Sequence, residues 1–252
     1  MYIIIVSLAD PVSRAFLELM GDLPLVETRG DLEIRRLRDT PVVVYRGEPT
    51  SFDKEDVLLS VGKHAVFISR HEMANPRPIF TVHTPGSWPD VSVSNPHLAS
   101  AVLRALCNRL YEPFECAYEA THHTPNTAHI SATFVEVGST DREWGDRKAV
   151  GTLLEALEEV LNSPLEEHTP AMVIGDLHYT TVKESALRKE VDIGHVVPKY
   201  VEITPAAVET ALRKHTVPIK RAILFRKNVK NPARGEILQM LRDRGVEVVL
   251  KG

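Results

Sequence analysis

Three features of the sequence predict an α/β fold. Short apolar runs rich in β-branched residues alternate with segments of helical periodicity along the whole chain. No linker, internal repeat or low-complexity tract interrupts that alternation. At 252 residues, 43% apolar and 25% charged, the chain has an ordinary globular composition and enough length to bury a substantial core. The expected organisation is one α/β unit over residues 1–252, compact or bilobed.

The first strand is read in "YIIIVSL", followed by a helix in "DPVSRAFLELMG", where Asp10 caps, Pro11 takes the first helical position and Gly21 closes. "PVVVY", "HAVFIS" and "IFTVH" supply three more strands, and "NPHLASAVLRALCNRLYE" a helix capped by Asn95. "FECAYEA" alternates like a strand, and "TFVEVGS" is another. Thr140 and Glu143 then have capping-box spacing and predict a helix running to Asn162, weakened by Gly145 and Gly151. "AMVIG" and "GHVVPKYVEI" read as strands, and Thr204 and Pro205 open a helix that ends in the cations Arg213, Lys214 and His215. Strand "IKRAILF", helix "PARGEILQMLRDRG" and strand "VEVVL" close the chain.

No apolar run approaches the roughly 20 residues of a membrane span, and "MYIIIVSLADP" lacks the basic flank of a signal peptide. A cytoplasmic protein without membrane contact is expected. Cys107 and Cys116 are the only cysteines, and they lack C-x-x-C spacing. They are expected to be core thiols, neither a disulfide framework nor zinc ligands. Any metal must then be held by carboxylates and by some of the 11 histidines. The net charge of −4 argues against a uniformly basic nucleic-acid binder. Yet Arg213, Lys214, Lys220, Arg221, Arg226, Lys227, Lys230 and Arg234 share a 22-residue window that contains no acid. That window is either a solvated face with counter-ions or a surface for a nucleic-acid backbone.

Polar, reactive side chains recur where predicted strands end: Ser69, Arg70 and His71; His83; His122 and His123; Ser139 and Thr140; His178 and Tyr179. Ligands of open α/β sheets bind beyond the carboxyl ends of strands, so these five ends converge on one cluster if the strands are parallel neighbours. His71, His83, His122, His123, His178 and His195 are thereby candidate metal ligands; each taken alone also reads as a hydrogen-bonded core or surface residue. Glu136 lies inside the apolar run "FVEV". Turned to solvent it needs nothing; buried, it needs a metal, an arginine or an imidazolium. Histidines 122 and 123 are adjacent, so they share one site only if the chain turns, as "TPN" immediately afterwards allows. Ser69, Thr81, Thr121, Ser139 and Thr140 read as substrate contacts or nucleophiles, or simply as strand-end caps. No G-x-G-x-x-G, P-loop, G-x-S-x-G or H-E-x-x-H occurs, which argues against dinucleotide enzymes, P-loop NTPases, α/β-hydrolases and compact zinc motifs.

Taken in order, "SLADPVS", "SRHEMANPRPIFTVHTPGSW", "EATHHTPNTAHISATFVEVGSTDREW", "IGDLHYTTV" and "IGHVVPKY" resemble the archaeal and plant type of D-aminoacyl-tRNA deacylase across most of the chain. The combination of S-R-H, T-V-H-T-P-G, T-H-H, F-V-E-V-G-S-T and H-Y is specific, whereas each segment alone is weak. The chain departs from the family pattern at Thr124, where glycine is usual. It departs again at Asp176 and Leu177, which interrupt a glycine-rich run, and at "FRK" (225–227), which replaces Trp-Lys-Gly. The first two bear on local geometry, because glycine permits conformations that Thr and Leu resist.

The resemblance implies a three-layer α/β/α fold, phosphorylase/hydrolase-like, with a mostly parallel or mixed central sheet. It also implies hydrolysis of the ester between a D-amino acid and the terminal ribose of tRNA, with zinc as cofactor and two ions per chain. On that reading the six histidines and Glu136 supply the ligands, and Ser139, Thr140 or Tyr179 donates a hydrogen bond to the developing oxyanion. The segment Arg213 to Arg234 then holds the tRNA backbone in a salt-sensitive way. No obligate protein partner is implied, and a monomer is expected. Two other functions suit the same residues: a zinc-dependent peptidase or amidohydrolase on a similar fold, and a non-enzymatic tRNA-binding module.

Overall fold

In a computed structural model describing residues 1–252, the chain builds two main sheets. The larger contains β1 (Tyr2–Ser7), β2 (Leu25–Arg29), β3 (Leu32–Leu37), β4 (Thr40–Tyr45), β5 (His64–His71) and β6 (Ile79–His83). After a short ribbon of β7 (Gly86–Ser87) and β8 (Asp90–Val91), it is completed by β9 (Glu115–Tyr118) and β10 (Ser131–Gly138). Its order is β2-β3-β4-β1-β5-β10-β6-β9. Strands β4, β1, β5 and β10 run parallel, β6 reverses against β10, and β9 runs with β6. The smaller sheet, β12-β11-β13-β14, is all parallel: β11 (Pro170–Asp176), β12 (Asp192–Pro198), β13 (Arg221–Phe225) and β14 (Glu247–Lys251).

The layers follow from strand alternation. Ile4, Val66, Val82 and Val135 point to one face of the large sheet and pack on α1 (Pro11–Met20), α3 (Pro96–Cys107) and α5 (Arg147–Leu161) in a cluster of 37 buried residues. That cluster also takes Ala171, Val173, Ile193 and Val196 from the small sheet, so α3 lies between the two sheets. The opposite face, with Ile3, Phe67 and Phe134, is covered more thinly by Phe52 and by Leu58 of α2 (Glu55–Leu59). On the far side of the small sheet lie α7 (Pro205–Arg213) and α8 (Ala233–Asp243). α4 (Asp141–Trp144) and α6 (Lys183–Leu187) complete the set, and no helix is long and apolar enough to cross a membrane.

The expected caps are in place. Asp10 accepts from the Ser13 amide at 2.9 Å and Asn95 from the Leu98 amide at 3.1 Å, each just before a proline at the first helical position. Two expectations change, and one hairpin is added. The helix predicted from Thr140 to Asn162 is two helices: Gly145 ends α4, and Asp146 caps α5 by accepting from the Lys148 and Ala149 amides. The hairpin of β2 and β3 went unread because neither strand is strongly apolar. Cys107 and Cys116 are not free thiols. The turn after α3 returns the chain antiparallel to the helix end, the two Cα atoms come to 5.7 Å, and the residues form a disulfide.

One buried polar cluster fastens the small sheet to α3. Asp192 at the start of β12 accepts from Arg104 at 2.9 Å, from His97 Nδ1 at 2.6 Å and from the His168 amide at 2.8 Å. Burial raises its carboxyl pKa, but those three donors outweigh burial and hold it below the usual aspartate value. A depressed folded-state pKa contributes stability that is fully present above the unfolded value, about 3.9, and is lost as pH falls below it. Asp192→Ala is expected to destabilise the protein by about 3–5 kcal/mol by orphaning Arg104, measured by urea unfolding at neutral pH. Asp192→Asn should flatten the loss of stability that the wild type shows as pH drops below the aspartate range.

Candidate metal centre

Side-chain alternation places the site on the thinly covered face of the large sheet, one step along from its aromatic core. Phe67 and Phe134 stack there at 4.8 Å. Two residues further along the same strands, on the same face, come Ser69 and Glu136, which are paired in register, and then His71 opposite Gly138. Thr81 lies across from Glu136 on β6, and His83 follows on the same face. Continuing β9 past Tyr118 puts Glu119 beside His83. The strand ends do converge, but not as parallel neighbours. β6 and β9 run against β5 and β10, so a shared face, rather than a shared carboxyl edge, assembles the cluster.

Two fully buried carboxylates form its centre. Glu136 accepts from Ser69 Oγ at 2.8 Å, Thr81 Oγ1 at 3.0 Å and His71 Nδ1 at 3.0 Å. Glu119 accepts from His178 Nε2 at 3.0 Å and lies 3.5 Å from His71 Nδ1 and 3.3 Å from His83 Nδ1. Burial pushes both carboxyls up. For Glu119 the His178 hydrogen bond and the imidazoles of His71 and His83 more than reverse this, holding it well below the carboxylate range. For Glu136 the His71 hydrogen bond and the nearby His83 do the same. Glu119 was missed in the sequence, although "AYEA" carries the same signal as "FVEV": an acid set in an apolar strand.

The chain turns at the paired histidines, as one shared site requires. His123 adopts a left-handed φ of 40°, which is uncommon outside glycine. His122 Nδ1 donates to the Ala120 carbonyl and His123 Nδ1 to the Thr124 carbonyl, both at 2.7 Å. Each ring therefore has its lone pair on Nε2, and that of His123 faces His83 Nε2. Burial, then the charge on His83, pushes His122 down to about 3, and the same two causes lower His123, so both rings are neutral near pH 7.

His83 Nε2 lies 3.1 Å from His123 Nε2. Two nitrogens on one tetrahedral zinc, each at about 2.0–2.1 Å, sit about 3.3 Å apart. His83 Nδ1 and Glu119 Oε2 are buried without any hydrogen-bond partner, as ligands that await a cation are. Three donor groups could hold metal: His83, His122 and His123; Glu119, His122 and His178; and His71, Glu119 and Glu136.

The remaining predicted residues are placed differently. Tyr179 reaches the cluster, its hydroxyl 2.9 Å from His71 Nε2. Ser139 Oγ donates instead to the Arg77 carbonyl at 2.8 Å, and Thr140 Oγ1 donates to Glu143 in the α4 capping box, so both hydroxyl protons are committed elsewhere. His195 stands apart from the three donor groups. Its Nδ1 faces Thr121 Oγ1 at 3.0 Å, its Nε2 faces the Lys214 carbonyl at 3.1 Å, and its ring packs on His215.

A cavity of about 250 Å³ opens over His71, His122, His123 and Glu136, and its further lining includes Asp10, Glu48 and Arg70. The departures at Thr124 and Asp176 are accommodated. Thr124 Oγ1 donates to the Thr50 carbonyl at 2.6 Å, and Asp176 accepts from Thr180 Oγ1 at 2.6 Å and the Thr181 amide at 2.8 Å, shaping the loop that carries His178.

The basic window does not form a single patch. Arg213, Lys214 and Arg221 pair with Glu209, Asp90 and Glu247. Lys220 precedes β13, whereas Arg226, Lys227 and Lys230 follow its carboxyl end, exposed and without ion pairs, and Arg234 donates to the Arg226 carbonyl.

Comparison with known proteins bears on this geometry. Residues 61–249 match the family model described as D-aminoacyl-tRNA deacylase. The chain is 66% identical to a D-aminoacyl-tRNA deacylase of Pyrobaculum islandicum, each chain covered in full. It is 34% identical to one of Caldivirga maquilingensis, with 73% of this chain and 74% of the other covered. A solved structure of a conserved protein of unknown function superposes with a TM-score of 0.90 at 23% identity, covering 99% of this chain and 95% of that one, which shows a shared fold.

Glu119→Gln keeps the shape of the side chain and removes its charge. It should weaken metal retention at least about tenfold, read by elemental analysis after dialysis against graded chelator. Unchanged retention would place Glu119 outside the ion-holding set.

Proposed function

Because the chain belongs to the D-aminoacyl-tRNA deacylase family and is an ester hydrolase, we propose that its buried His/Glu cluster holds zinc and cleaves the ester joining a D-amino acid to the terminal ribose of tRNA. The observation that carries this reading is the pair of neutral imidazoles, His122 and His123, grouped with further histidines and two buried carboxylates, a donor set of the kind catalytic zinc takes. The two cysteines are joined to each other and offer no thiolate. The donors can hold at most two ions at once. His122 has one free nitrogen and can join only one group, whereas the two oxygens of Glu119 can serve neighbouring positions. Zinc bound there supplies Lewis acidity, which activates water and polarises an ester carbonyl near neutral pH.

The chain's own side chains do the rest. With one ion on His83, His122 and His123, the His71–Glu136 pair is left to hold a proton between Nδ1 and Oε2, and is placed to take a proton from attacking water and return it to the departing ribose oxygen. Burial, and then the Glu119 charge, keep the Tyr179 phenol protonated far above neutral pH. Its hydroxyl proton is shared with His71 Nε2 inside the cluster, and Tyr179 becomes the oxyanion donor by turning that proton to the substrate, whereas Ser139 and Thr140 hold theirs on groups outside the cluster. The unpaired Arg226, Lys227 and Lys230 support contact with the tRNA backbone. The cluster needs no residue from a second copy to be complete, and a tRNA substrate supports a cytoplasmic location.

Matched D- and L-aminoacyl-tRNA, incubated with the protein and followed for loss of the acyl group, test this reading. The D-substrate should be deacylated far faster, a chelator should abolish the activity, and added zinc should restore it. Equal rates on the two enantiomers, or full activity in protein shown to be metal-free, would sink it. Release of ammonia from small amino-acid amides without tRNA would point instead to an amidohydrolase.

A further inference from the structure

The carboxyl edge of the small sheet gathers residues that the ester chemistry does not use. β12, β11 and β13 are parallel neighbours, about 4.8 Å apart, so the residues that follow them emerge side by side: Lys199 and Tyr200 after β12, Leu177 after β11, and Arg226, Lys227 and Lys230 after β13. Asn228 ties the last of these loops to β11 by donating to the Gly175 carbonyl at 2.7 Å. Tyr200 is 60% exposed and is the one aromatic among the exposed large apolar side chains. Its hydroxyl donates to His178 Nδ1 at 2.8 Å, and its ring lies 6.2 Å from that of His178, tilted by only 28°. It thus extends the row of rings His83, His122 and His178, which pack at 4.3 and 4.7 Å.

Resting on the deacylase reading, we infer that Tyr200 is the stacking platform for the terminal base of the tRNA acceptor end, with Lys199, Arg226, Lys227 and Lys230 holding the phosphates of the preceding single-stranded nucleotides. The terminal base is bonded to the same ribose that bears the ester, so it must lie beside the cluster that cleaves the ester. An exposed aromatic face flanked by cations is the surface that binds a single strand without reading its sequence. The charge fits one occupant: the edge carries four cations and a neutral ring against one exposed acid, Glu202, and the strand is a polyanion.

The test needs no ester hydrolysis, so it can fail independently of the deacylase reading. A short single-stranded oligoribonucleotide ending in adenosine and the same strand with an abasic last residue are compared by fluorescence anisotropy. They are measured on the full protein, on Tyr200→Phe and on Tyr200→Ala. Loss of the base should weaken binding about tenfold for the wild type and for Tyr200→Phe, which keeps the ring, and leave Tyr200→Ala unaffected. Replacing Arg226, Lys227 and Lys230 by Ala should reduce the slope of log affinity against log salt by about 2, whereas Lys220→Ala at the other end of β13 should not change it. Equal base effects in all three proteins, no binding of the strand at low salt, or a Tyr200→Ala change in oligomeric state with unaltered strand binding would each overturn the platform. The last result would make this face a contact between copies of the chain.

Discussion

Glu119 and Glu136, both fully buried and both within hydrogen-bonding or near-contact distance of His71, set the terms for everything around them. Two carboxylates cannot be held ionised in a dry interior without partners. Ser69 and Thr81 supply hydroxyl protons to one, His178 supplies an imidazole proton to the other, and the unsatisfied oxygen of Glu119 faces an equally unsatisfied nitrogen of His83. A cation closes that circuit more completely than any protein group present. The carbonyls of Ala120 and Thr124, by taking the Nδ1 protons of His122 and His123, aim the remaining lone pairs as ligands.

The two sheets meet at this point. Just past β9, the Ala120 amide donates to the His178 carbonyl at 2.6 Å and the Thr121 amide to the Val196 carbonyl at 2.9 Å, while the Thr180 amide donates to Tyr118 at 3.0 Å. The edge of the large sheet is thereby stitched to the carboxyl end of the small one, and His178 is carried to within reach of Glu119. Polar chemistry and interlobe contact share one seam. The buried His/Glu cluster and the exposed Tyr200 both adjoin it, each in contact with His178, which suits the proposed substrate of a small acyl group on a large polyanionic body.

Much of this was legible in the sequence, for reasons that differ by residue. The buried strands are uniform β-branched runs, and the helices at Pro11 and Pro96 begin with cap and proline together, so local chemistry alone announces them. Glu136 stood out because an acid in an apolar strand has few inexpensive explanations. Glu119 met the same test and was overlooked, since the seven residues around it also read as an alternating, half-exposed strand. The pairing of Cys107 with Cys116 was hidden because a disulfide depends on the path of the chain between the cysteines, and spacing alone does not report that path.

By itself the sequence determined the α/β class, the resemblance to a deacylase family, and a short roster of histidines and acids around which the chemistry turns. Those are matters of local pattern, carried by residues near one another in the chain. The tertiary structure decided which side chains share the buried cluster. It brought Glu119 in, placed His195 against His215, committed the hydroxyls of Ser139 and Thr140 to other partners, and divided the basic window between ion-paired residues and a free edge. Those outcomes depend on strand direction and on which sheet each strand joins. Both are settled by burial across the whole chain, where a residue's partners lie tens of positions away.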